Sequence, residues 1–177
     1  HGKPTLRTWT TLNSTAAAGA TAICFTSPVD WKIGSQLIIT STGFDMNEAE
    51  QRTMTSLSNL GRCVSFDTPL AYEHLGETRL FARRPVELRA EVGLLSRNVV
   101  VQGNVMSRLD RHGGHIMFYS QEGFYRDNSL IGRIQDVEIR YMGQAFQMGR
   151  YAIHFHMSGR VDRSYVRRCS IHHTYNR

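Results

Sequence analysis

The segment QDVEIRYMG, residues 135–143, determines the fold that we expect, because variants of it occur twice elsewhere in the chain. RNVVVQGN (97–104) begins 38 residues earlier and RRCSIHHTY (167–175) begins 32 residues later, and the three segments align without gaps. Each copy has apolar residues at alternate positions, which is typical of a β-strand. A repeat of short strands at this spacing indicates a β-solenoid, in which each copy stacks on the preceding one.

A second pair of similar strands lies between these copies. GGHIMFYS (113–120) and AIHFHMSG (152–159) share an Ile-x-Phe core. One rung cannot bury its own apolar side chains, so stacked rungs form the core, and the strand period of two assigns each side chain to a face. The side chains expected to point inward are Val99, Val101, Ile116, Phe118, Val137, Ile139, Ile153, Phe155, Cys169 and Ile171. Those expected to point outward are Met117, Glu138, Arg140, His154, His156, Ser170 and His172.

The rest of the chain also has the pattern of β structure. Runs such as AICFT (22–26), QLIIT (36–40) and RCVSF (62–66) are rich in β-branched and aromatic residues, with Gly, Pro, Asn and Asp between them. The best helical candidate is the short segment FDMNEAEQRTM (44–54), which has an acidic start. The sequence contains no run of about eighteen apolar residues, so we expect no transmembrane helix.

Basic residues dominate the charge of this 177-residue chain, which carries a net charge of +6. Of its 21 basic residues 19 are Arg, and residues 132–177 hold eight Arg against three acidic residues. This distribution favours a polyanionic partner for the C-terminal part, although a GC-rich genome would also raise the Arg content. The sequence has no motif of a nucleic-acid-binding module, so no nucleic acid is expected as a partner.

The three cysteines follow no recognisable spacing pattern. Cys24, Cys63 and Cys169 form no CxxC motif, which indicates neither a disulfide framework nor a zinc site, and the pairing of Cys24 with Cys63 stays open. Asn13 begins the sequon Asn-Ser-Thr and is a candidate for N-glycosylation. The chain begins and ends within regular patterns, so we expect it to be part of a longer protein.

His154 and His156 are candidate ligand residues because alternate residues of a strand project to the same side, about 7 Å apart. They could contact a glycan, act as acid–base groups, or hold a metal ion together with a third ligand. The simpler interpretation is a ladder on the outer wall of the solenoid. No third His or carboxylate is placed near them by the pattern, so neither a metal nor another cofactor is predicted.

A group of Arg residues with an interleaved Tyr follows these histidines. Arg160, Arg163, Arg167 and Tyr165 combine planar cations with an aromatic face, which suits acidic sugars, and a solvated rim is the alternative. The nearby Asp136 and Glu138 have a spacing that a glycosidase could use, but neighbouring Arg residues favour salt-bridged surface carboxylates. The predicted glycan-binding set is therefore His154, His156, Arg160, Arg163, Arg167 and Tyr165, with the catalytic residues unknown.

Several long blocks resemble one known group of proteins. These are WKIGSQLIITSTGFDMNEAEQ (31–51), RAEVGLLSRNVVVQGN (89–104), YMGQAFQMGRYAIHFHMSGRVD (141–162) and SYVRRCSIHHTYNR (164–177). They are similar to fibrocystin and fibrocystin-like proteins, and equally to the cell-surface hyaluronidases. The resemblance implies an all-β chain that follows an eight-glycine domain: a small β domain at 1–90, then the first rungs of a right-handed parallel β-helix at 91–177.

The resemblance also implies a large extracellular or cell-surface protein, for which the ciliary or flagellar membrane is one candidate location. We expect a module for structure or for recognition of a glycan or another partner, and the alternative is part of a hyaluronan-depolymerising hydrolase. Whether the chain is an enzyme stays open, with the balance against it for this segment. The expected partners are acidic glycans and the other domains of a longer chain, without membrane contact by this segment.

Overall fold

The computed structural model describes residues 1–120 and 130–176. It divides the chain into two compact units. The first unit comprises Thr5–Ser96, and the second comprises His1–Pro4 together with the chain from Arg97 onward. The first unit thus ends at Ser96, and the domain boundary implied by the resemblance lies between residues 90 and 91. Within the described residues no helix is both long and apolar enough to cross a membrane.

The first unit contains one antiparallel sheet of six strands and a separate hairpin. Its strands are β1 (Trp9–Thr11), β2 (Ala22–Cys24), β3 (Gln36–Ile39), β4 (Glu50–Ser58), β5 (Cys63–Phe66), β6 (Thr78–Phe81), β7 (Arg84–Glu87) and β8 (Glu91–Leu94). The sheet has the order β1-β8-β3-β4-β5-β2, and β6 pairs with β7 in the hairpin. The helical candidate at 44–54 is instead a single 3-10 turn, Met46–Glu48, followed by β4.

Alternation along the strands builds the core of this unit. Leu37 and Ile39 of β3 and Val92 of β8 are completely buried, and the intervening side chains are more exposed. Phe25 and Trp31 pack with ring centroids 5.5 Å apart. Trp31 is buried, and its indole N–H satisfies its hydrogen-bonding need by donating to the carbonyl of Arg7 at 2.7 Å.

The structure resolves the open question of cysteine pairing. Cys24 of β2 and Cys63 of β5 are directly opposite in the antiparallel register and form a disulfide. The bond joins residues 39 positions apart in sequence, so it restricts the unfolded chain considerably. Cys169 is a free, partly buried thiol in the second unit.

The second unit is built from short strands and one short helix. These are β9 (Val99–Gln102), α1 (Val105–Asp110), β10 (Ile116–Tyr119), β11 (Arg133–Gln135), β12 (Val137–Arg140), β13 (Ile153–His156), β14 (Tyr165–Arg167) and β15 (Ser170–His172). They form three small parallel sheets, with the orders β15-β12-β9, β10-β13 and β11-β14. Each strand therefore pairs with the equivalent strand of the next repeat.

The register of this repeat is the predicted one. Val137 pairs with Val99, and Ile139 pairs with both Val101 and Ile171. In the second sheet Ile116 pairs with Ile153 and Phe118 with Phe155, and the two phenyl rings stack with centroids 4.7 Å apart. The prediction that residues 97–104, 135–143 and 167–175 contain neighbouring parallel strands is confirmed.

Burial of the inward set depends on the position of the strand. Val137 and Ile139 on the central strand β12 are buried, and partly buried Val101, Ile116, Ile153 and Cys169 pack against them. Val99 and Ile171 on the two edge strands are 37% and 47% exposed. The expectation that the whole set would be mostly buried is wrong for these two, because an edge strand has a neighbour on one side only.

The outer face of β12 departs from the prediction. Asp136, Glu138 and Ser170 were expected at the surface, but they are 0%, 4% and 6% exposed. Asp136 has φ +55°, a left-handed conformation that turns the chain just before β12. Both carboxylates are salt-bridged as expected, Asp136 to Arg168 and Glu138 to Arg140, but both are buried. The interpretation as surface carboxylates is therefore wrong.

The first four residues of the chain pack on this part of the repeat unit. The amide of Gly2 donates to the carbonyl of Gln135 at 2.8 Å, and the amide of Lys3 donates to Asn98 Oδ1. A Cβ atom on Gly2 would lie 2.0 Å from the carbonyl oxygen of Asp136. Only glycine permits this close approach of the two backbones.

Candidate ligand-binding surfaces of the repeat unit

Two guanidinium groups lie close to the aromatic ring of Tyr165 on β14. Arg167 Cζ is 4.4 Å and Arg133 Cζ is 5.6 Å from the centroid of the Tyr165 ring. The parallel register of β11 with β14 places Arg133 directly beside Tyr165. The ring of His1 lies 6.1 Å from that of Tyr165, and His1 Nε2 lies 3.4 Å from the phenol oxygen. We call Arg133, Tyr165 and Arg167 the Tyr165 stack.

Neighbouring groups hold both guanidinium groups of the Tyr165 stack in place. Arg167 Nε donates to Gln135 Oε1 at 2.7 Å, and Arg133 Nε donates to the carbonyl of Arg163 at 2.9 Å. Both Arg residues are exposed to solvent, and Tyr165 is half-buried. An oriented, exposed pair of cations beside an aromatic ring can bind an anion and an apolar ring face together.

The other two predicted Arg residues lie in the connection between β13 and β14. Arg160 forms an ion pair with Asp162, two residues further along, and both side chains are exposed. Arg163 is exposed, and its carbonyl is the acceptor for Arg133. Arg160 is therefore neutralised locally, whereas Arg163 is positioned next to the Tyr165 stack through its backbone.

His154 and His156 project to the same side of β13, as the alternation predicted. Their rings are 5.0 Å apart and nearly perpendicular, and both residues are half-buried. His154 Nδ1 donates to the carbonyl of Gly149 at 2.7 Å, because a carbonyl can only accept. Tyr151 packs edge-on against His154, and Tyr119 lies 5.7 Å from the ring of His156.

The buried Asp136 is held as a carboxylate by neighbouring groups. Burial alone would raise its pKa, but hydrogen bonds from Arg168 and Gln135 and the charges of Arg168 and Arg97 outweigh this effect and lower the pKa below 3.8. Arg168 Nε and Gln135 Nε2 donate at 2.7 Å and 2.8 Å. A carboxyl group with a lowered pKa is unsuited to serve as a general acid at neutral pH.

Glu138 on β12 lies at the centre of a second buried contact group. Its carboxylate is 3.1 Å from a guanidinium nitrogen of Arg140, accepts from the amide of Arg97 at 3.1 Å, and lies 3.3 Å from His172 Nε2. The contact between His172 and Glu138 does not have the geometry of a hydrogen bond, so His172 Nε2 is buried and has no hydrogen-bond partner among the described residues. Burial and the neighbouring His173 lower the pKa of His172 below 6.5.

The first unit has its own buried carboxylate, which the sequence pattern did not indicate. Glu50 pairs with Arg52, accepts backbone hydrogen bonds from Ala71 and Tyr72, and lies 3.0 Å from Nε2 of the fully buried His74. Burial would raise the pKa of Glu50, but these hydrogen bonds and the Arg52 charge lower it below 4.5. The arrangement attaches the loop at 71–74 to β4 and is a structural link.

The predicted set of six glycan-binding residues thus belongs to three successive parts of the chain. His154 and His156 lie on β13, Arg160 and Arg163 follow it, and Tyr165 and Arg167 lie on β14. Arg133, Gln135 and His1 also belong to this surface but were not among the predicted residues. The 32-residue repeat was a signal for the first two, because it aligns them with Tyr165 and Arg167.

Two further features bear on the predicted sites. Asn13 is exposed, with Ser14 Oγ donating to its side-chain oxygen at 3.0 Å. Among residues 1–120 and 130–176, no three His, Cys, Asp or Glu side chains are grouped so as to hold a metal ion.

Sequence comparisons connect the chain to known proteins. The family described as CEMIP beta-helix matches residues 111–177. Fibrocystin-L of Homo sapiens is 35% identical over an alignment that covers 100% of this chain and 5% of fibrocystin-L. Protein rliB of Dictyostelium discoideum is 32% identical over an alignment that covers 100% of this chain and 14% of rliB. The cell surface hyaluronidase CEMIP2 of Homo sapiens is 35% identical over 83% of this chain and 11% of its own length.

Comparison with solved structures adds a more distant similarity. The tailspike protein gp49 of Pseudomonas phage LKA1 is 16% identical, with a TM-score of 0.39 over 83% of this chain and 22% of that chain. A TM-score this low supports no conclusion about the present fold.

The chain therefore spans between 5% and 14% of the length of these three relatives. The alignments with fibrocystin-L and rliB extend over the whole chain, so they include both units. Over this segment, the chain is a homologue of fibrocystin-L and of the cell surface hyaluronidase CEMIP2, and residues 111–177 match the CEMIP beta-helix family.

Proposed function

We propose that this chain is an extracellular β-helix module of a larger, fibrocystin-like cell-surface protein, and that its repeat unit recognises acidic glycans. The second unit is then the beginning of a right-handed parallel β-helix, in which the three parallel sheets form the three walls. The ciliary membrane is one cell surface on which such a protein would stand. The parent protein supplies the remaining domains as structural partners.

The Tyr165 stack is the observation that carries the glycan proposal. Its aromatic ring offers a face for the apolar side of a sugar ring, and its two guanidinium groups offer forks for a carboxylate or a sulfate. Gln135 and the carbonyl of Arg163 hold these forks in place, so less side-chain freedom is lost on binding. His154 and His156 on the preceding strand would extend the polar surface available to a longer chain.

Two further observations support an extracellular location. The Cys24–Cys63 disulfide is a bond that persists in oxidising compartments and is rare in the cytosol. The exposed sequon at Asn13 would accept an N-linked glycan in the secretory pathway. Intact-mass analysis of protein from a secreting eukaryotic cell, compared with the Asn13→Gln variant, tests this modification. If the two proteins differed in mass only by the substitution itself, Asn13 would carry no glycan and the expected modification would be contradicted.

Retention on an immobilised acidic polysaccharide tests the glycan proposal. We expect retention that weakens steeply with added salt, because screening reduces the attraction of exposed charges. Replacing Arg133 and Arg167 with Gln should lower the affinity roughly tenfold or more, since charged hydrogen bonds are worth about 1.5–3 kcal/mol each. Replacing Arg160, which already pairs with Asp162, with Gln is the matched control and should have little effect. Equal retention of both variants would mean that the Tyr165 stack is only a solvated rim.

A hydrolase that depolymerises hyaluronan is the alternative, and the contact of Glu138 with His172 is the observation that favours it. A buried carboxylate beside a histidine can serve acid–base catalysis. Loss of hyaluronan cleavage by the full-length parent protein in the Glu138→Gln variant, with the fold retained, would support this alternative. Retained cleavage would exclude a catalytic role for Glu138.

A further inference from the structure

The β6–β7 hairpin carries exposed apolar side chains that the proposed function does not use. Within residues 1–120 and 130–176 its two strands pair with each other and with no other strand, and all eight strand residues are exposed. Leu80 and Phe81 next to the tip are 74% and 52% exposed, and Val86 on the return strand is also exposed. Large apolar side chains grouped on one exposed element indicate an interaction surface.

The base of the hairpin is firmly attached to the first unit. Arg89 donates to the carbonyls of Leu12, Asn13 and Gly76 at 2.6–2.9 Å. The amide of Leu88 donates to the carbonyl of Glu77, which extends the ladder below the strands. These hydrogen bonds hold the base of the hairpin against the first unit, so the tip projects from an ordered base.

The charges of the hairpin are arranged unequally along its length. At the base, Glu77 pairs with Arg79 and Glu87 pairs with Arg89. At the tip, Arg83 and Arg84 are exposed, and neither side chain has an ion pair or hydrogen bond among residues 1–120 and 130–176. The two-residue turn places Ala82 and Arg83 at φ +48° and +67°, the conformation of a tight hairpin turn. The tip thus combines two unpaired cations with Leu80 and Phe81.

We propose that the tip of this hairpin, residues 80–84, docks on the surface of a lipid bilayer, with Leu80 and Phe81 among the headgroups and Arg83 and Arg84 on lipid phosphates. Charge is the first reason, because unpaired guanidinium groups beside apolar side chains match a surface of phosphates above hydrocarbon. This differs from the sequence-based expectation that the segment makes no membrane contact.

The shape of the hairpin is the second reason. Only the peptide groups between β6 and β7 are paired, so we place the tip among the hydrated headgroups, where water can satisfy the groups at its outer edges. A stable protein interface buries about 800 Å² on each partner, with shape complementarity. A narrow, two-stranded tip offers little such surface, whereas a bilayer accepts it without a preformed complementary shape.

Vesicle binding by the purified chain tests the proposal. We expect it to bind vesicles of phosphatidylcholine with phosphatidylglycerol more tightly than vesicles of phosphatidylcholine alone. Each Arg near an anionic surface contributes about 1 kcal/mol, so the double variant Arg83→Gln/Arg84→Gln should bind roughly 30-fold more weakly. The double variant Leu80→Ser/Phe81→Ser should lose at least about tenfold, because its apolar insertion is removed.

Two matched controls separate the tip from general charge and hydrophobicity. Arg7→Gln/Lys32→Gln removes the same charge from exposed positions outside the hairpin. Phe44→Ser removes an exposed aromatic side chain from a loop that also carries Asp45. Both controls should bind vesicles like the original protein, and circular dichroism should show that every variant keeps its fold.

Three results would overturn the proposal: no binding of the original protein to either kind of vesicle, equal binding by the tip variants and the controls, or self-association that the tip variants abolish while vesicle binding is unchanged. The last result would assign the tip to a protein contact. Retention on the acidic polysaccharide should be the same for the tip variants and the original protein, so the two proposals can fail independently.

Discussion

Asp136 and Arg168 lie 32 residues apart in sequence, and Arg168 Nε donates to Asp136 Oδ1 at 2.7 Å. The carboxylate is completely buried, while the side chain of Arg168 is about one-third exposed. The pair therefore connects one repeat to the next at the turn that precedes β12. Removal of the Asp136 carboxylate leaves the guanidinium group of Arg168 unpaired from it and only partly exposed to solvent.

Replacing Asp136 with Asn should lower the free energy of unfolding of the repeat unit by roughly 2 kcal/mol. This is less than the 3–5 kcal/mol that breaking a fully buried pair costs, because Arg168 remains partly solvated. Asn has a similar size and also tolerates the left-handed conformation at this position, so the backbone is retained. Amide hydrogen exchange of Ile139 measures the change, since both Trp residues lie in the first unit and report only on that unit.

The variant Arg168→Gln completes a double-mutant cycle with Asp136→Asn. The two effects should be strongly non-additive if the residues act as a pair. Additive effects would contradict the assignment of the stabilisation to this contact.

The stability of the repeat unit should fall as the pH decreases below 6.5. The pKa of His172 is lowered in the folded state, so the unfolded chain binds this proton first as the pH falls. The neutral His172 therefore contributes to the free energy of unfolding above pH 6.5. This contribution is lost as the pH falls towards the lowered pKa of the folded state, at a rate of at most about 1.4 kcal/mol per pH unit. Amide exchange of Ile171 between pH 7 and pH 5 measures this change in stability, which corresponds to the uptake of about one proton on unfolding.

The variant His172→Gln should show a flatter dependence on pH over the same range. His112 is exposed, and the variant His112→Gln serves as the matched control with an unchanged slope. The same slope in all three proteins would show that His172 does not carry the effect.

A side chain at position 2 should release the first residues of the chain from the repeat unit. The Cβ of Gly2→Ala would meet the carbonyl oxygen of Asp136 at 2.0 Å, and the backbones would have to separate. We expect a loss of about 1–3 kcal/mol, the usual cost of forcing extra atoms into a packed site. Loss of protection of the Gly2 amide measures the release, and Lys3→Ala, at an exposed neighbouring position, should leave it protected.

Removing the disulfide should destabilise the first unit. Replacing Cys24 and Cys63 together with Ser should lower its free energy of unfolding by roughly 2–4 kcal/mol, because the open chain gains conformational freedom in the unfolded state. Unfolding in urea followed by Trp fluorescence reports on this unit. Cys169→Ser, in the other unit, is the control, and an equal midpoint for all three proteins would argue against a stabilising disulfide.

The parallel repeat could be predicted from the sequence because the apolar alternation of 97–104, 135–143 and 167–175 permits only one gapless register. A shift of one residue would turn every inward side chain outward. The all-β class follows from the same local patterns. The segment 44–54 was the exception, since β4 begins at Glu50 inside the apparent helix and its pairing with β3 overrides the local preference.

The sequence by itself determined the strand register of the repeat and the side of the strand on which His154 and His156 lie, because both depend on the alternation of side chains along a strand. Only the tertiary structure decided what covers each face. The burial of Asp136 and Glu138, the pairing of Cys24 with Cys63 and the position of Arg133 beside Tyr165 all arise from residues that are distant in sequence. Alternation assigns a direction to a side chain, but burial depends on which other segment packs there, and that is a property of the folded chain as a whole.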